Sequence, residues 1–306
     1  MKIGLIGMLA TTAIFSATAI AEQHIHGQNC AHGGGFLPPN DLWMQDSLDS
    51  TAGLTEVQFN AVIDRAQAFY GPVIQAQGGH LTIQKLWSDA TVNANASQAG
   101  AEWNVNMYGG LARRAEVTVD GFALVLCHEL GHHLGGHFFT SAWAANEGQS
   151  DYFATQSCAR ELWGEERGQN ANSRATVPAT PKAKCNDVYQ TEGDQDLCYR
   201  VMEGSKSISD LLGALGSTPV DWDHPDASVV TRTNSAHPKA QCRLDTYMAG
   251  ALCTKDFEKS VIPAKALGAQ RNSVAGERDS MLYTCTSAGQ FTAGNRPLCW
   301  FKPQVQ

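Results

Sequence analysis

The sequence predicts an α+β fold: a small mixed sheet beside a helix that carries H-E-x-x-H, followed by an α-rich, disulfide-containing C-terminal part. Three observations lead there. Apolar residues recur at helical spacing on both sides of a group of strand-like runs. One of the helical runs, "DGFALVLCHELGHHLGG", is apolar except for a knot of histidines and a glutamate. Four of the nine cysteines fall beyond residue 240. With 43% hydrophobic and 17% charged residues, the composition is that of a globular domain. A net charge of −8 and the lack of any basic run exclude a nucleic-acid partner.

Residues 1–21 combine Lys2, an apolar core from Ile3 to Phe15 and the small residues Ala19 and Ala21, the layout of a secretory signal peptide. Residues 22–45 read as a flexible leader rich in His and Gly. From 46 to 306 the chain reads as a single domain. Thr55 and Gln58 form a capping box, and the helix they open is expected to reach about Tyr70, where Gly71-Pro72 interrupts it. Strand-like runs follow from residues 80, 90 and 102; the last alternates Trp103, Val105 and Met107 against polar neighbours. A helix is expected from about Asp120 to the Gly135-Gly136 stop, and another from about Ala145 to Trp163. Residues 164–206 are polar and read as a loop insertion, with a short helix after it at 207–215 and a Cys-rich tail over about 240–306. No later segment is apolar enough to insert stably in a membrane once the signal is cleaved.

Exported chains keep disulfides. Spacing along the chain suggests Cys185–Cys198, Cys242–Cys253 and Cys285–Cys299, leaves Cys127 and Cys158 as a bridge or two buried thiols, and makes Cys30 the odd residue.

The chemistry concentrates at His128, Glu129 and His132. On a helix, imidazoles four residues apart lie about 40° apart and reach one ion, with the intervening glutamate beside the open position. Two imidazoles and a nearby carboxylate suit Zn²⁺, which lowers the pKa of water towards about 7 so that Glu129 can act as general base. A third ligand is required, and there are two candidates. His137 lies past the Gly-Gly stop, one position short of the H-E-x-x-H-x-x-G-x-x-H spacing. Glu147 fits better, because Asp151, four residues on, faces the same way and can orient a ligand histidine.

"HELGH" followed by "NEGQSD" resembles the gluzincin metallopeptidases, closest to the branch of HtpX, the CAAX prenyl protease and the periplasmic BepA-type proteases. "NVNMYGGL" at 104–111 and "HPKAQCR" at 237–243 are similar to that branch's segment before the active-site helix and its downstream His-Pro-x-x-x-x-Arg element. The resemblance spans about residues 55 to 250. It implies a zincin-like fold with an edge strand above the active-site helix, Asn104 and Asn106 lying on that substrate-pairing strand. It also implies His128, His132 and Glu147 as ligands of one catalytic zinc, with Glu129 as base and Asp151 behind a ligand. His237 or Arg243 would stabilise the oxyanion, with His224-Pro225 the rival His-Pro pair. The implied activity is cleavage of extended or unfolded polypeptide, in the periplasm or outside the cell. The alternative is a module that binds zinc or unfolded protein without turnover. The membrane helices of the branch are missing, and the tail beyond 250 matches nothing in it.

Overall fold

The computed structural model describes residues 35–46 and 52–305; the expected signal peptide, most of the leader and Cys30 lie outside them. Among the described residues, the fold is a three-stranded mixed sheet covered by helices. Helix α1 (Glu56–Ala76) opens on the expected capping box, with the Thr55 hydroxyl accepting from the Gln58 N–H and the Gln58 side chain answering. It runs past Tyr70. Pro72 and Ala68, whose carbonyl loses its helical donor, both lie on the exposed face, where that carbonyl is open to solvent.

The strands are β1 (His80–Leu86), β2 (Ala94–Ala99) and β3 (Glu102–Tyr108), in the order β1-β3-β2. β1 pairs parallel to β3 and β2 antiparallel to it. The alternation of β3 is as expected, with Trp103, Val105 and Met107 buried. Its place is not: β3 is the central strand. Asn104 and Asn106 therefore sit on a backbone already paired on both sides, and the strand edges belong to β1 and β2.

Helix α2 (Val119–Leu134) starts at the Thr118 cap and ends at Gly135. It is buried along almost its whole length, between the sheet, α1 and the helices described next. Helix α3 (Glu147–Phe153), capped by Asn146, continues through a π turn at Ala154–Cys158 to Trp163. Residues 164–206 are not a loop. They contain single turns at Arg167–Asn170 and Ala171–Arg174, helix α4 (Ala179–Val188), and the first half of helix α5 (Glu192–Leu215). The expected short helix at 207–215 is the end of α5. Polar composition hid these helices, because α5 packs along α2 with polar as well as apolar residues: Arg200 reaches Asp120 of α2 at 2.7 Å.

Helices α6 (Ala240–Ala251) and α7 (Val274–Ser280) belong to the tail. Cys185–Cys198 forms as expected, and Cys127 and Cys158 are bridged. The other two bridges are Cys242–Cys299 and Cys253–Cys285. Cys242 lies in the first turn of α6 and Cys253 beyond its end, so the helix between them holds their Cα atoms roughly 16 Å apart, far past bridging range. The four disulfides among the described residues suit an oxidising environment, and no described helix is long and apolar enough to cross a membrane.

Candidate metal centre

Helices α2 and α3 cross at Gly131, the residue just before the second histidine of the motif. A Cβ there would come 2.8 Å from the Ser150 backbone, so only glycine permits this approach. The crossing sets Glu147, in the first turn of α3, opposite His128 and His132. Glu147 Oε2 is 3.3 Å from His128 Nε2, and Oε1 is 3.7 Å from His132 Nε2. All three side chains are buried, and none of these four atoms has a hydrogen-bond partner. Buried polar atoms without partners are costly. Two imidazole nitrogens and a carboxylate oxygen within 4.8 Å of one another can hold a metal ion. Ligands about 2.0–2.2 Å from one tetrahedral ion lie about 3.3–3.6 Å apart, so the donor set and its spacing fit a divalent ion such as zinc.

The far nitrogens are anchored. His128 Nδ1 donates to Asp151 Oδ1 at 2.7 Å, and His132 Nδ1 donates to the Ala145 carbonyl at 2.9 Å, so each ring turns its Nε2 towards the centre. Asp151, one turn beyond Glu147, also receives Arg243 through Nε at 2.8 Å and Nη2 at 2.7 Å, together with the Tyr247 hydroxyl. Burial would raise the Asp151 carboxyl, but Arg243 and His128 outweigh it and keep it charged. Arg243 thus stands behind His128, with its guanidinium on Asp151 and on the Phe36 carbonyl at 2.7 Å.

Glu129 is wholly buried and both its oxygens lack partners. Burial, opposed by the charge of His128 and reinforced by Glu147, pushes its carboxyl up to about 8. Burial brings His132 down to about 4, the neutral form a metal ligand needs. At His128 burial acts downward too, but Asp151 overrides it and raises the ring to about 9, so a cation arriving at Nε2 displaces a proton. The centre is linked covalently as well: Cys127, next to His128, is bridged to Cys158 at the end of the π turn.

The remaining candidates divide clearly. His237 joins the centre, its Nε2 3.4 Å from Glu147 Oε2. His224 is exposed and paired with Asp221. His137 is buried elsewhere, donating from Nδ1 to the Arg271 carbonyl at 2.8 Å. His133 is stacked between Trp103 and Trp143 and bonded to the Asn104 carbonyl, so Asn104 serves the packing of α2 against β3. Asn106 donates to Asn95 of β2 at 2.8 Å. Two participants had no sequence signal: Tyr247, although it lies four residues after Arg243 on one face of α6, and the backbone of Gly35 and Phe36.

Compared with protein-family models, curated proteins and solved structures, the chain matches none.

Proposed function

We propose that this chain is a zinc-dependent endopeptidase of the periplasm or exterior that cleaves extended or unfolded polypeptide. The observation that carries the reading is the set of unpartnered, buried donors on His128, His132 and Glu147, with the unpartnered Glu129 carboxylate next to them in sequence. A pure metal store needs the first three but has no use for the fourth.

Zinc held by His128, His132 and Glu147 would supply positive charge that acidifies water and polarises a peptide carbonyl. The protein supplies the rest. Glu129 takes the water's proton as its oxygen attacks the carbonyl carbon, then delivers that proton to the departing amine nitrogen. His237, facing Glu147, donates from Nε2 to the carbonyl oxygen as negative charge grows there. Arg243 and Tyr247 act through Asp151, whose charged form keeps His128 turned towards the centre.

The test is zinc content and hydrolysis of unfolded casein, with and without 1,10-phenanthroline, for the parent and Glu129→Gln. The reading expects one equivalent of zinc in both proteins and chelator-sensitive cleavage by the parent alone. Stoichiometric zinc with no chelator-sensitive cleavage of any unfolded substrate would make the chain a binding module.

A further inference from the structure

Of the residues expected to form a flexible leader, Gly35, Phe36 and Leu37 are buried beside the metal centre. Phe36 and Leu37 are fully buried. The Phe36 N–H donates to the carbonyl of Ala94, the first residue of edge strand β2, at 2.9 Å. Leu37 exchanges two bonds with the Asn93 side chain, at 2.9 and 3.2 Å. Further along, Val92 donates to Leu42 and Met44 to Ala90, so the segment runs antiparallel to residues 90–94. Its other side faces the centre. The Gly35 carbonyl accepts from His237 Nε2 at 2.7 Å, and the Phe36 carbonyl accepts from Arg243. The Phe36 ring stands edge-on to the His128 ring at 5.3 Å, beneath the Arg243 guanidinium at 4.3 Å.

These are the contacts an incoming polypeptide would need: a strand edge for its N–H, a donor for its carbonyl beside the ligand carboxylate, and a slot for a side chain. Meanwhile His128, Glu129 and Glu147 have no exposed surface. A hydrolytic site must admit both water and a chain, so something has to move. Helices α2 and α3 are core elements joined by Cys127–Cys158, whereas no disulfide among the described residues holds residues 35–37. Room exists beside the segment: Leu37, Pro38 and Leu42 wall a hollow of about 440 Å³ with Leu212, Leu215 and His237.

Resting on the peptidase reading, we propose that Gly35-Phe36-Leu37 is an internal occupant of the substrate channel. It withholds the centre until displaced, and it shows the class of chain the site takes. That class is a polypeptide pairing with β2 at Ala94, with a small residue against the Ala94 carbonyl and an aromatic or large apolar side chain between His128 and Arg243. A Cβ on residue 35 would come 1.8 Å from Ala94 O, which explains the glycine and supplies a way to evict the segment.

The experiment compares the full exported chain with Gly35→Ala, which collides with Ala94, and Asn93→Ala, which drops both bonds to Leu37. Reactivity of His237 towards diethyl pyrocarbonate is read in metal-free protein by peptide mass spectrometry. Hydrolysis of peptides containing Gly-Phe-Leu or Gly-Asp-Leu is read in zinc-loaded protein, and thermal melting confirms folding. If the open fraction rises from about 1% to about 10%, His237 reactivity and kcat/KM for the Phe peptide each rise about tenfold. The Phe peptide is favoured over the Asp peptide. Unchanged His237 reactivity in both folded variants would overturn the proposal. So would raised reactivity with reduced kcat/KM, which would make the segment a working part of the site. Equal cleavage of the two peptides would overturn the substrate class. Raised reactivity with no cleavage by any form, the parent included, would instead remove the peptidase reading on which the substrate role rests.

Discussion

Glu147 and Glu277 are both buried carboxylates, one in the metal centre and one in the C-terminal tail, and they are treated in opposite ways. Glu277 accepts the backbone N–H groups of Gln304 and Val305 at 2.6 and 3.3 Å. Nearby Arg296, also buried, donates to the His137 carbonyl and to the hydroxyls of Ser280 and Thr284. Glu147 and Glu129 have four buried oxygens and no hydrogen-bond donor on any of them. Burial alone does not mark a functional site, because architecture buries charge as well. What separates the carboxylates is satisfaction: Glu277 spends its oxygens on two backbone N–H groups, and those of the centre stay free.

The largest expected effect lies on the unsatisfied side. Glu129→Gln keeps the shape and the zinc but loses the base, so kcat falls by about 10²- to 10⁴-fold with metal content unchanged. A matching loss of zinc would place Glu129 among the ligands. Next is the staple behind the centre. Replacing Cys127 and Cys158 together by alanine should lower unfolding stability by about 2–5 kcal/mol in denaturant melts, the usual cost for a native bridge. A much smaller change would mean that packing of α2 on α3 suffices. Asp151→Asn removes the charge that orients His128 while leaving the three donors in place. Zinc affinity, measured by chelator competition, should weaken about 10- to 100-fold. The smallest effect belongs to the satisfied side. Glu277→Gln should cost about 1–2 kcal/mol in melting experiments and leave zinc content and specific activity unchanged. An effect on zinc would break the contrast between the two regions.

The local features that place the centre were legible in the sequence. The periodicity of α2, the i and i+4 spacing of His128 and His132, and the four-residue step from Glu147 to Asp151 are short-range patterns that helix geometry translates directly. Long-range choices were not. The resemblance implied that β3 is an edge strand, and the alternation of Trp103, Val105 and Met107, which shows a one-sided strand but not which neighbours pair with it, could not correct that: β3 lies in the middle. The helices between 164 and 206 were obscured because polar residues such as Arg200 meet partners on α2, where composition counts them as solvent-facing. Proximity along the chain misled the pairing of Cys242 and Cys253, which a rigid helix separates. Of His237 and Arg243, either of which the resemblance implied at the oxyanion, Arg243 lies elsewhere. Its partner is Asp151, and neither its distance from Glu147 along the chain nor its charge could reveal that. Gly35 and Phe36 were hidden for a simpler reason: they act through backbone carbonyls, which no side-chain pattern records.

The most direct test of the account is metal stoichiometry by elemental mass spectrometry, comparing the purified parent with Glu147→Ala at matched folded fraction. One equivalent of zinc in the parent, and far less than one in the variant, is the predicted result. A full equivalent retained without the Glu147 carboxylate would contradict the three-donor centre and send the search for the third ligand back to His137.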